Sequence, residues 1–235
     1  VRDTVKLPFR IRSLILLPAC LCAYLAIVGG WAWVNFDDVL ANASVEADAQ
    51  LSARQTAILT RVEDPAFFTH RGVSLAPGQG LATMSSALAR ELYLQGADLP
   101  GAAGVLQHLY RAVFACCKKV DLGRDVMAVV LDARLSKQRQ LALYVARVYM
   151  GTDGATQVRG LPQAARHYLN KPLEALTDDE FIGLVAMIKA PNQFHPFRQR
   201  VAYDSRVARV RALVSGRCEP DGWFDTELAH CHDGG

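Results

Sequence analysis

An uncharged run of 24 residues, Ser13 to Phe36 (SLILLPACLCAYLAIVGGWAWVNF), constrains this chain more than any other feature. A helix rises about 1.5 Å per residue, so a segment of this length crosses a hydrocarbon core of about 30 Å. Lys6, Arg10 and Arg12 precede it, Asp37 and Asp38 follow it, and Trp31 and Trp33 sit near its far end, where an aromatic belt belongs. The charge bias predicts a cytoplasmic N-terminus at 1–12, a single transmembrane anchor at 13–36, and everything after Asp37 outside the cytoplasm. A cleaved signal peptide is the alternative, but the run exceeds the usual core of about 7–15 residues and AWVNFDD is a mediocre cleavage site.

Beyond the anchor lie roughly 200 residues, enough for one domain with a real core. With 51% hydrophobic and 21% charged residues, disorder and fibrous repeats are excluded. The net charge of +3 comes with no Lys/Arg block interleaved with aromatics, which argues against nucleic acid as a partner. Of six cysteines, Cys20 and Cys22 lie in the anchor, and Cys116 and Cys117 are too close in sequence for an ordinary bridge with one another. Cys218 and Cys231 bracket a stretch rich in Gly, Pro and Asp. In an oxidising compartment a bridge there contributes about 3 kcal/mol; two free thiols on a loose tail, 218–235, are the alternative. No Cys, His or Asp set at ligand spacing predicts a metal site.

Most of the chain after Ala41 reads as helix. Leu141, Tyr144, Val145, Val148 and Tyr149 form one apolar stripe at helical spacing. Thr177-Asp-Asp-Glu180 is a capping box ahead of Phe181, Leu184, Val185 and Ile188, and that helix must stop before Pro191. Further helices are predicted over Ala82–Leu94, Val105–Lys118 and Asp125–Ala133, with loops at Val73–Gly80, Gln95–Gly104, Gly151–Gly160 and Cys218–Gly235. No alternating strand pattern of useful length is present.

The chemistry concentrates in Arg61-Val-Glu-Asp-Pro-Ala-Phe-Phe-Thr-His-Arg-Gly72. Pro65 suits a first helical turn with Asp64 as N-cap, which would put Glu63 just before that helix. Phe67 and Phe68 could then wall the Glu63 carboxylate off from water and raise its pKa towards that of a useful base. The same residues also read as a cap, a solvated acid and a locally packed His70.

Glu63-Asp64-x-x-Phe67-x-x-His70-x-Gly72 resembles the first signature of the peptidoglycan glycosyltransferases of family 51, found as single-span transglycosylases and in bifunctional penicillin-binding proteins. Leu135-Ser-Lys137, Leu143-Tyr144-x-x-Arg147-Val-Tyr149-x-Gly151, Ala164-Ala-Arg-x-Tyr168-x-x-Lys171, Leu176-Thr-x-x-Glu180 and Ala190-Pro-x-x-Phe194-x-Pro196 follow the family's downstream wording in order. The resemblance covers about Arg61 to Pro196. It implies an all-α, lysozyme-like domain at 37–217, behind the anchor in the bacterial inner membrane and facing the periplasm, that polymerises lipid II into glycan strands. Glu63 would be the general base. It takes the proton from the acceptor sugar's 4-hydroxyl, which displaces undecaprenyl pyrophosphate with inversion. Asp64, Phe67, His70, Thr83, Arg90, Arg166 and Lys171 would lie at the substrate, with His70 also read as a structural partner of Glu63. A divalent cation, Mg or Mn, and other cell-envelope proteins are implied as a cofactor and partners.

The match has departures. Against the second signature, G-G-S-T-I-T-Q-Q-L-x-K-N, the chain reads Gly80-Leu-Ala-Thr83-Met-Ser-Ser-Ala-Leu88-Ala-Arg90-Glu91, without either Gln and with Arg90 for Lys. The third signature, R-K-x-x-E, supplies a second catalytic Glu, and ungapped counting from Leu135 places that position at Arg124. Asp121, Asp125 and Asp132 are substitutes if the spacing shifts, with Lys118 and Lys119 a cation pair or a solvated helix end. The readings are therefore an active transferase, a catalytically silent relative that binds glycan, lipid II or an envelope protein, and a muramidase-like hydrolase. The last would need two carboxyl groups flanking the bond.

Overall fold

A computed structural model describes residues 9–43, 50–80, 82–114 and 121–231, and is predominantly helical. The long α1, Phe9–Val34, contains among the described residues one stretch apolar and long enough to cross a membrane, Leu16–Val34. It exposes Leu16, Leu17, Leu21 and Ile27, whereas Val28 and Ala32 are buried. With Phe36 and Val39 of α2, Phe36–Asn42, they join a core built on Leu88, Leu92, Tyr93, Met127 and Leu131. Tyr93 donates to Ala32 O at 3.0 Å. Arg134 pairs with Asp37 and lies over the Trp33 and Phe36 rings, 4.9 and 4.7 Å from their centroids. The end of α1 therefore packs into the core of the domain.

The next described helix is α3, Ala53–Glu63, opened by a capping box between Ser52 and Gln55. It corrects the expectation of a helix starting at Pro65: Glu63 is the last residue of a helix and Asp64 is its C-cap. The physical reason is that a residue before proline avoids the helical region, and proline commonly follows a helix end. Chain order then gives α4, Met84–Ala89, which runs on as a π turn over Arg90–Leu94; α5, Gly101–Phe114; α6, Leu122–Arg134; and α7, Lys137–Arg147. The loop expected at Gln95–Gly104 yields its last residues to α5. Cys116, Cys117, Lys118 and Lys119 lie outside the described residues.

The segment Gly151–Gly160, read as a loop, is largely an antiparallel hairpin of β1, Tyr149–Asp153, and β2, Thr156–Arg159, with Thr152 opposite Gln157. Strands of five and four residues are too short for alternation to register. Tyr149 thus leaves the helical stripe in which the spacing had placed it. Then come α8, Leu161–Leu169, α9, Asp178–Ile188, and α10, Arg200–Val214. The Thr177–Glu180 capping box opens α9, as its sequence requires. Phe181, Ile182, Leu184, Val185, Ala186 and Met187 are all buried, so α9 is enclosed on every side. It is the centre of a second core formed with Ile58, Leu59, Phe67, Val145, Met150, Leu161 and Val210.

Gly72 joins the two cores. It sits at φ +91°, and a Cβ there would lie 2.6 Å from the Ala128 carbonyl oxygen in α6. Gly72→Ala is expected to cost about 1–3 kcal/mol through the left-handed backbone and this close approach, measured as a drop in denaturation midpoint. An unchanged midpoint would show that the two elements are not in contact.

Candidate active site

The Glu63 side chain emerges where α3 stops, and it lines a cleft of about 580 Å³ together with Arg90, Glu91, Arg124, Tyr144, Arg147 and Lys189. Its surroundings are densely packed, and burial raises its pKa from the ordinary 4.5 to about 7, against the opposing pull of Arg206 and then Lys189. A carboxylic acid poised there accepts a proton readily at neutral pH. The phenylalanine wall is half corrected: Phe67 is fully buried in the core, but Phe68 is exposed.

The remaining residues of the signature hold this geometry from behind. Asp64 is fully buried, and its Oδ2 accepts the Met84 backbone N–H and the His70 Nε2–H, both at 2.9 Å. The Gly72 N–H donates to His70 Nδ1 at 3.0 Å, which fixes the tautomer that leaves Nε2 its proton. Thr83 donates to Gly72 O at 2.6 Å and, as the N-cap of α4, accepts from Ser86 N. Lys137 lies 4.8 Å from the centroid of the Phe67 ring and pairs with Asp132 at 2.6 Å. Asp64, Phe67, His70 and Thr83, expected at the substrate, are thus engaged in internal contacts that lock the end of α3 to the start of α4.

Of the expected substrate residues, Arg90 lines the cleft beside Glu63. Arg166 and Lys171 do not line it; both are exposed, and Lys171 is paired with Glu180 of the α9 capping box. Arg124, where ungapped counting would put the second acid, does line the cleft and is paired with Asp125 at 2.8 Å. The substitute acids are likewise committed: Asp121 caps α6, Asp125 holds Arg124, and Asp132 holds Lys137.

Residues the signatures did not single out complete the cleft. Glu91 is clamped by Arg159 Nη1, 3.0 Å from each carboxylate oxygen, with Arg147 at 3.5 Å. Its place in the last position of the second signature was the available signal. Lys189 stands directly before Ala190-Pro191, and Arg206 on α10 is almost wholly buried. The cleft therefore carries four cationic side chains, Arg90, Arg124, Arg147 and Lys189, against two carboxyl groups, Glu63 and Glu91.

Those residues do not fit a divalent cation. One carboxylate is already held by guanidinium groups, the other is pushed towards its neutral form, and four cations share the space. Elsewhere Cys218, His230 and Cys231 come within 4.8 Å of one another, a grouping that sequence spacing did not suggest, but the two sulfurs are joined as a disulfide.

The chain matches the transglycosylase family over residues 38–215. It is 32% identical over 159 residues to penicillin-binding protein 1B of Escherichia coli strain K12, which covers 66% of this chain and 18% of that protein. Against penicillin-binding protein 1B of Vibrio cholerae it is 33% identical over 156 residues, 65% of this chain and 18% of the relative. Against penicillin-binding protein 1A of Streptococcus oralis it is 28% identical over 204 residues, 82% of this chain and 30% of the relative. The chain thus spans less than a third of the length of these relatives. It belongs to the transglycosylase family.

Asp64→Ala strands the His70 and Met84 donors in a buried site and is expected to cost about 2–4 kcal/mol, read from denaturation midpoints. Glu63→Gln should act in the opposite direction. Because the folded protein holds the Glu63 proton more tightly than the unfolded chain, its stabilising contribution is full below about pH 4.5 and is lost as pH rises through about 7. The Gln variant should therefore be more stable than wild type by about 1–3 kcal/mol at pH 8 and lose that advantage by about pH 4. Parallel stability–pH curves would refute a raised pKa.

Proposed function

We propose that this member of the transglycosylase family is a membrane-anchored peptidoglycan glycosyltransferase that polymerises lipid II, with Glu63 as general base. The observation that carries the reading is the poised Glu63 carboxyl in a cation-lined cleft. Glu63 accepts the proton of the acceptor sugar's 4-hydroxyl as that oxygen bonds to the donor's anomeric carbon from the opposite face. The bond from that carbon to the undecaprenyl pyrophosphate oxygen breaks, and the leaving group departs with the electron pair. The charge developing on the pyrophosphate is met by Arg90, Arg124, Arg147 and Lys189, so guanidinium and ammonium groups do the electrostatic work. The exposed apolar residues of α1, and of Leu106 and Leu109 on α5, support attachment to the membrane that carries a lipid-linked substrate. An inner-membrane, single-pass arrangement with the domain in the periplasm is part of the same proposal.

A second reading, a catalytically silent relative that binds glycan or lipid II, is favoured by Arg124 at the second-acid position. Hydrolysis of the muramidase type finds less support. Glu91, the other cleft carboxylate, is held by Arg159 and Arg147 rather than presented to a substrate bond.

The test uses the purified full-length protein in detergent with labelled lipid II. Wild type is expected to form glycan strands at a rate that rises with pH through about 7, as Glu63 loses its proton, while Glu63→Gln loses at least about 10²-fold. Because the cleft does not fit a dication, polymer formation should persist in EDTA. Saturable lipid II binding without polymer, unchanged by Glu63→Gln, would replace the transferase with the binding protein.

A further inference from the structure

Beyond Val214, the last residue of α10, the chain enters a segment that the family match leaves out after residue 215. It runs back across the domain. The Cys218–Cys231 disulfide closes it, and Leu228 and Cys231 pack on Ala212 and Leu213. Its backbone pairs with the loop that leads into α4: Gly78 N–H donates to Gly222 O at 3.0 Å, and Gly80 N–H to Trp223 O at 3.1 Å. A Cβ on Gly78 would lie 2.4 Å from the Pro220 ring, so the two strands of chain touch directly. Glu219 pairs with Arg61, two residues before the base.

The strap then reaches two cations. Lys189 donates to Thr226 Oγ1 at 2.7 Å and pairs with Glu227 Oε1 at 2.7 Å. Arg206, only 3% exposed, donates from Nη1 to the carbonyl oxygens of Thr226 at 3.0 Å and Glu227 at 3.1 Å. These are the same two side chains whose charges act on the Glu63 carboxyl. A buried guanidinium or ammonium is tolerable only where acceptors meet it, and here both sets of acceptors come from two consecutive strap residues. The two cations whose charges act on Glu63 and the strap that holds them form one hydrogen-bonded unit.

We propose that the disulfide-closed strap, residues 217–231, is a working part of the cleft, in which Thr226 and Glu227 are positioning residues that hold the Lys189 and Arg206 cations beside Glu63. The proposal rests on the transferase reading for its effect on catalysis but not for its geometry. Lys189 is faced by Glu63 from α3, Arg206 from α10 and Glu227 from the strap, with Thr226 as its neutral partner. Burial and Arg206 favour loss of its proton, while Glu227 and Glu63 favour its retention. Removing the Glu227 charge should therefore let Lys189 deprotonate at lower pH.

The experiment uses full-length protein in detergent with its lysines reductively methylated with ¹³C-formaldehyde, Lys189 being identified by the signal missing in Lys189→Arg. Glu227→Gln is expected to lower the Lys189 titration midpoint by about one pH unit and to move the alkaline limb of glycan polymerisation down by a similar amount. The denaturation midpoint should change little, because the Glu227 side chain is 59% exposed. The double variant Cys218→Ser/Cys231→Ser, which opens the strap without changing Thr226, Glu227 or any side chain that lines the cleft, should move the same limb. An unmoved Lys189 midpoint in Glu227→Gln overturns the proposal, as does an unmoved alkaline limb in an active enzyme. If the midpoint moves but no form polymerises lipid II, the transferase reading falls and the positioning role stands.

Discussion

The candidate cleft depends on a carboxylate that does not line it. Asp64, fully buried, accepts hydrogen bonds from the Met84 amide and from His70, and so ties the end of one helix to the start of another. Burying a carboxylate is tolerable only where donors meet it, and here they are fixed in turn by Gly72, whose amide sets the His70 tautomer, and by Thr83, which grips the Gly72 carbonyl. The helix end at Asp64 leaves Glu63 facing the cleft. A signature that looks like a row of substrate contacts is, in this fold, mainly a clamp that sets where the Glu63 side chain emerges.

The electrostatics of the cleft follow from what surrounds that residue. Burial pushes Glu63 towards neutrality while Arg206 and Lys189 pull it back, leaving its pKa about 7. Arg124 adds positive charge to the cleft, and the carboxylate of Glu91 is engaged by Arg159 and Arg147. The result is a cleft with one available base and several cations. That is a coherent arrangement for expelling a pyrophosphate and a poor one for holding a dication.

Much of the fold was legible where local chemistry acts alone. The capping box at Thr177 and the stop before Pro191 bound α9 as written, because caps and prolines act on the backbone within a turn. The disulfide between Cys218 and Cys231 is present, and α4, α5 and α6 lie where helical spacing put them, give or take a few residues. At Asp64 an acid before proline suits an N-cap and a C-cap boundary equally, and the capping box at Ser52, which starts a helix eleven residues long, decides between them. The hairpin escaped because its strands are short. Lys189 and Arg206 were invisible as site residues for a different reason: their significance arises only when the end of α9 and the middle of α10 converge on Glu63, and no spacing within one element reports that.

The central claim is that packing around Glu63 tunes it into a base for neutral pH, and the most direct test is its own titration. Protein labelled with ¹³C at the glutamate side-chain carboxyl, compared with Glu63→Gln to identify the signal, should show Glu63 titrating near 7. A midpoint between about 4 and 5, the ordinary range for a solvated glutamate, would contradict the account.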